Sequence, residues 1–80
     1  MKLAIHTLQS TLFEGEITSV TVPTPNGEIT VLSQHLPLVT IVSRGMVRVT
    51  LPHGEESGTP FNGGILEVRP GSEAVMLADE

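Results

Sequence analysis

The sequence predicts an all-β fold, an antiparallel sandwich or barrel built from short strands. Two observations carry that reading. Segments of five or six residues rich in Val, Ile, Leu and Thr recur along the chain, and several alternate apolar with polar residues. Eight glycines and six prolines punctuate the spaces between them after Glu14. A length of 80 residues bounds the answer to one domain, residues 1–80, with a small core.

The elements come in order along the chain. In the first segment Met1, Ile5, Leu8 and Leu12 share a helical face, while Leu3 and Ile5 also alternate as in a strand, so periodicity permits both. Strands are then predicted at Ile17–Val22, Glu28–Leu32, Leu38–Val42, Met46–Leu51, Ile65–Arg69 and Glu73–Ala78. Asn26-Gly27 suits a tight hairpin turn needing positive φ, with Pro23 and Pro25 stiffening its approach. Pro70-Gly71 fits the central positions of a type II turn, and Pro52-His53-Gly54 and Asn62-Gly63-Gly64 mark two more reversals. Alternation points Val20, Val22, Ile29, Val31, Val47, Val49, Leu66, Val68, Val75 and Leu77 inward. It points Arg48, Glu67 and Arg69 outward. No repeat, low-complexity tract or linker is visible.

Composition excludes several functions. With net charge −5 and only Phe13 and Phe61 as aromatics, the chain has neither the basic stripe nor the stacking platform of a nucleic-acid binder. No cysteine is present for a disulfide, a thiol nucleophile or a Cys-ligated zinc. No apolar run approaches the roughly 20 residues that cross a bilayer, and the N-terminus lacks a signal-peptide core, which points away from secretion. His6, His35 and His53 have no short-spaced ligand partners, so a metal site is not expected. Ser33, His35 and Asp79 are triad residue types without a nucleophile elbow, and Asn62-Gly63-Gly64 lacks the ending of a phosphate loop. A lipoyl or biotinyl carrier presents its lysine at a hairpin tip, whereas the only lysine here is Lys2.

Two stretches are more particular than generic β sequence. Asn26-Gly-Glu-Ile-Thr-Val-Leu-Ser-Gln-His-Leu-Pro-Leu-Val-Thr40 resembles the signature of the epsilon-subunit family of F-type ATP synthases, in which Gly-Glu opens a strand and His-x-Pro-Leu comes after a loop. Gly63-Gly-Ile-Leu-Glu-Val-Arg-Pro-Gly71 is similar to that family's Gly-Gly-x-x-Glu-Val strand. Phe13-x-Gly15, Gly45-Met-Val-Arg48 and Leu77-Ala-Asp79 fall in the family's order around them. The chain departs from the pattern at Thr30, where the family has glycine, and at Ser33-Gln34, where it has Pro-Gly. Most members continue into a helical hairpin after the Leu-Ala-Asp element, and that hairpin's inhibitory and ATP-binding properties do not carry over to a chain ending at Glu80.

The resemblance implies a two-sheet sandwich and resolves the first segment as a strand. It implies a non-catalytic central-stalk subunit that joins the gamma subunit to the c-ring and helps couple ion translocation to ATP synthesis or hydrolysis. No cofactor is expected. The partners would be gamma and the polar loops of the ring, within a hetero-oligomeric complex, with the chain itself peripheral and not membrane-inserted. Its place would be the cytoplasmic face of the inner, energy-transducing membrane. By position, Glu28, His35 and Leu36 fall on the ring side, and Thr7 and Met46 on the gamma side. The ordinary readings are Glu28 as a solvated strand-start residue, His35 as a residue that only shapes a loop, Leu36 as core packing and Met46 as a half-buried strand residue. The alternative function is a free-standing β-sandwich interaction or ligand-binding module sharing the fold.

Overall fold

A computed structural model describes residues 1–33 and 37–79. Nine strands form among them: β1 (Lys2–His6), β2 (Thr11–Glu16), β3 (Ser19–Thr24), β4 (Gly27–Leu32), β5 (Leu38–Val42), β6 (Gly45–Thr50), β7 (Glu56–Phe61), β8 (Gly64–Arg69) and β9 (Glu73–Ala78). They assemble into a five-stranded sheet of order β2-β1-β9-β8-β5 and a four-stranded sheet of order β4-β3-β6-β7. Every pairing is antiparallel except that of β1 with β9, which runs parallel from Lys2↔Glu73 to His6↔Leu77. The sandwich is the architecture the resemblance implied.

All six strands read from the interior of the sequence are present, with ends shifted by at most two residues. The first segment is two strands joined by a hairpin. Met1 and Ile5 enter the core, whereas Leu8 at the hairpin is 92% exposed and Leu12 faces out, so the two-residue alternation governs there. Strand β7 was not anticipated. Its sequence, Glu-Ser-Gly-Thr-Pro-Phe, has no apolar alternation and is held by pairing along β6 from Gly45↔Phe61 to Thr50↔Glu56. At the β3–β4 hairpin Thr24 pairs with Gly27, so Pro25 and Asn26 occupy the loop, one residue earlier than expected. Gly27 carries the positive φ, 110°, as the residue directly after the turn.

The inner faces close on Leu3, Ile5, Leu66, Val68, Ala74 and Met76 from one sheet and Val20, Val22, Val31, Val47, Val49 and Phe61 from the other. Met1, Ile17 and Val42 complete the interior, and Ile29 packs half-buried against it. Each fully buried aliphatic side chain contributes about 1.5–3 kcal/mol relative to an exposed one. The inward assignment fails in β9 alone. Ala74 and Met76 are buried there, while Val75 is half-buried and Leu77 is 54% exposed on the outer face. Both phases of Glu-Ala-Val-Met-Leu-Ala are apolar, so alternation cannot choose between them; the parallel register with β1, which places Ala74 beside inward Leu3 and Met76 beside inward Ile5, does.

The sandwich has two distinct ends. At one end lie the β1–β2 hairpin, the β3–β4 tip, the β5–β6 and β7–β8 crossings and Asp79, tied together by Ser43 N–H to Pro23 O and Asp79 N–H to Gly63 O, both 2.8 Å. At the other lie Met1, Ser33, the β6–β7 loop and the β8–β9 turn. There the terminal ammonium donates to Glu16 Oε2 (2.8 Å), Ile17 O (3.1 Å) and Ser33 Oγ (3.3 Å), and Lys2 N–H donates to Ser72 O (2.9 Å).

Candidate functional site

The outer face of the five-stranded sheet is graded from charged to apolar along its strands. Register places Glu16, Lys2, Glu73 and Arg69 across its charged end. The next row is Glu14, Ala4, Val75, Glu67 and Val39. The row beyond runs from His6 through Leu77 and Ile65 to Ile41, with Leu12 displaced beside His6 by a bulge between Ile5 and His6. Leu12, Leu77, Ile65, Ile41 and Val39 all remain exposed, Ile41 at 63% and Val39 at 70%. An antiparallel sheet facing water on one side carries polar residues there; apolar side chains on both faces of β5, β8 and β9 mark a face that expects cover. Sequence reasoning missed this patch because it assigned Leu77 and Val75 to the core. The available signal was the doubly apolar pattern of Leu38–Val42 and Glu73–Ala78.

The outer face of the four-stranded sheet is different in kind. Thr30, Thr21, Arg48 and Gly58 cross it in one row, and Thr21 and Thr30 share a hydroxyl hydrogen bond of 2.8 Å. Arg48 grips Glu28 with both terminal nitrogens, Nη1 to Oε2 at 3.3 Å and Nη2 to Oε1 at 3.0 Å. Both partners are about half exposed, so the pair adds under about 1 kcal/mol but fixes the direction of the Glu28 carboxylate. Met46 lies on this same face, across from Pro60 and over Gly58, where an added Cβ would come within 3.2 Å of its Sδ.

The residues singled out from the sequence do not gather at one place. Glu28 and Met46 share the outer face of the four-stranded sheet. Thr7 sits in the β1–β2 hairpin of the other sheet, and its hydroxyl is occupied in closing that turn: Gln9 and Ser10 N–H donate to Thr7 Oγ1 at 3.1 and 3.0 Å. Thr7 and Met46 therefore belong to different sheets, separated by a core layer of about 10 Å. His35 and Leu36 lie outside the described residues. Ser33, which follows edge strand β4 at its end away from Glu28, is roughly 16 Å from Glu28 at about 3.3 Å per residue.

Ser33 and Asp79 stand at opposite ends of the sandwich, Ser33 bonded to the terminal ammonium and Asp79 N–H to Gly63 O, so the triad residue types do not converge. Among the described residues no three His, Asp or Glu side chains gather where they could hold a metal ion. Among them, too, no helix is long and apolar enough to cross a membrane.

Residues 1–80 match the family described as ATP synthase, Delta/Epsilon chain, beta-sandwich domain. The chain is similar to the ATP synthase epsilon chain of Dichelobacter nodosus, 39% identical over 69 residues, which are 86% of this chain and 48% of that one. Its fold is similar to a chain in the Euglena gracilis mitochondrial ATP synthase, in a structure of OSCP, F1 and c-ring, with TM-score 0.90 at 22% identity, covering 98% of this chain and 49% of that one. It is also similar to a chain in the central stalk and c-ring structure of the Tetrahymena thermophila mitochondrial ATP synthase, with TM-score 0.79 at 10% identity, covering 99% of this chain and 63% of that one. The chain spans about half the length of the curated relative it matches. With nine strands in two packed sheets and a family match that runs its whole length, the chain belongs to the β-sandwich domain family of ATP synthase delta and epsilon chains.

Proposed function

We propose that this sandwich is a non-catalytic rotor element of an F-type ATP synthase, held between the gamma subunit and the c-ring at the membrane's cytoplasmic side. The supporting observation is the uncovered apolar outer face of the five-stranded sheet in a chain of this family. A surface of Leu77, Ile65, Ile41 and Leu12 suits a permanent partner, since interfaces that never open resemble a core cut in half. Gamma is assigned to that face, with Thr7 at its margin. The ring's polar loops are assigned to the edge of the four-stranded sheet, where β4 carries Glu28, with His35 and Leu36 given the ring-side role that the resemblance implies. A carboxylate oriented by Arg48 steers and registers a polar contact more than it strengthens one.

The job of such a part is to keep two partners in fixed relation under torque. Two sheets packed through a shared apolar interior deform little, and no polar or charged residue is buried in that interior among the described residues.

Calorimetry of the folded chain with its cognate gamma subunit tests the assignment. One-to-one binding is expected, weakened at least about tenfold, roughly 1.4 kcal/mol, by Leu77→Asp and little changed by Met46→Asp on the opposite face. Weakening by Met46→Asp alone would move gamma to the four-stranded sheet. No binding at tens of micromolar would favour a free-standing sandwich module.

A further inference from the structure

Edge strands expose unpaired N–H and C=O groups, and proteins normally guard them with charges, proline, bulges or short length. Three of the four edges here are guarded. β2 carries Glu14 and Glu16 and a bulged pairing with β1; β4 carries Glu28 beside Gly27; β7 carries Glu56, Gly58 and Pro60. β5, though a residue shorter than the other three, carries no charge, proline or bulge within Leu38–Val42. Its sequence is Leu-Val-Thr-Ile-Val, it ends the five-stranded sheet, and β8 is the strand it pairs with. Its register is regular from Leu38↔Val68 to Val42↔Gly64, so the edge is unbulged as well as uncharged. Val39 and Ile41, on its outer side, are also the margin of the sheet's apolar outer face.

Resting on the gamma assignment of that face, we infer that β5 is a pairing edge, along which an extended segment of gamma adds a sixth strand to the five-stranded sheet. The shared residues argue for one occupant of both surfaces. A partner lying on Ile65 and Leu77 reaches Val39 and Ile41 at the sheet's rim, and its backbone there meets the free groups of β5. A second copy of this chain fits less well. Joining two β5 strands would extend the sheets side by side and leave both apolar faces bare, and it would bring together two chains of net charge −5. The incoming segment would place alternate side chains over Val39 and Ile41, which calls for apolar residues at every second position. Backbone pairing would supply affinity, and those contacts would supply register.

The test is residue-resolved amide hydrogen exchange on the isotopically labelled chain, alone and saturated with unlabelled gamma subunit. In an antiparallel edge strand alternate amides point away from the sheet and exchange freely. The outward-pointing amides of Leu38–Val42 are expected to slow by about tenfold or more in the complex, while those of edge strand β7 stay unchanged. Binding of gamma with no added protection in β5 would overturn the inference and leave the docking assignment intact. Failure of gamma to bind at all would overturn both.

Discussion

Gly64 is where the backbone tolerates no side chain: a Cβ built there would collide with the carbonyl oxygen of Leu77 on the paired strand β9. Gly64→Ala is expected to destabilise the fold by about 1–3 kcal/mol or more, read as a lower urea midpoint at unchanged slope. The β9 register makes a sharper residue-level contrast. Met76 is fully buried and Leu77 half exposed, so Met76→Ala is expected to lose about 2–5 kcal/mol and Leu77→Ala under about 1 kcal/mol. The reverse order would restore the alternation that places Leu77 inside. Glu28→Gln weakens only an exposed pair and is expected to change stability by less than about 1 kcal/mol. Any larger effect of that substitution should then appear in partner binding.

Among the elements, legibility tracked the contrast between faces. β3 and β6 show it plainly, because Val20, Val22, Val47 and Val49 alternate with Thr21 and Arg48, and alternation places their core residues correctly. β9 lacks that contrast, and only its neighbour β1 decides which phase is inside. β7 gives no signal at all, since an edge strand facing solvent needs little beyond inward Thr59 and Phe61 and is recruited by β6. Of the residues singled out from the sequence, Glu28 stands near a strand start beside its hairpin, as local sequence implies. The grouping of Thr7 with Met46 was not legible there, because which sheet a strand joins depends on pairing between distant segments. The bare edge of β5 also belongs to this scale. Ile41→Lys adds the missing charge at an exposed position, so the isolated variant is expected to fold as well as the parent and aggregate more slowly on heating, measured by light scattering.

Across the whole molecule, the first strand pairs with the last, and each sheet draws strands from both halves of the chain. Folding of such a topology waits on loop closure over long separations, so the main refolding phase is expected in the millisecond-to-second range in stopped-flow experiments. Unfolding monitored by different probes is expected to coincide, because one shared interior leaves neither sheet a core of its own. The parallel β1–β9 pair has a further consequence for a chain made from its N-terminus. By the time Phe61 has cleared the ribosome, every strand of the four-stranded sheet is available, but β1 still has an open side where β9 will lie. Until residues 73–78 emerge, the nascent sandwich presents Leu3 and Ile5 without their neighbours Ala74 and Met76, and that unfinished seam is where a chaperone would find it.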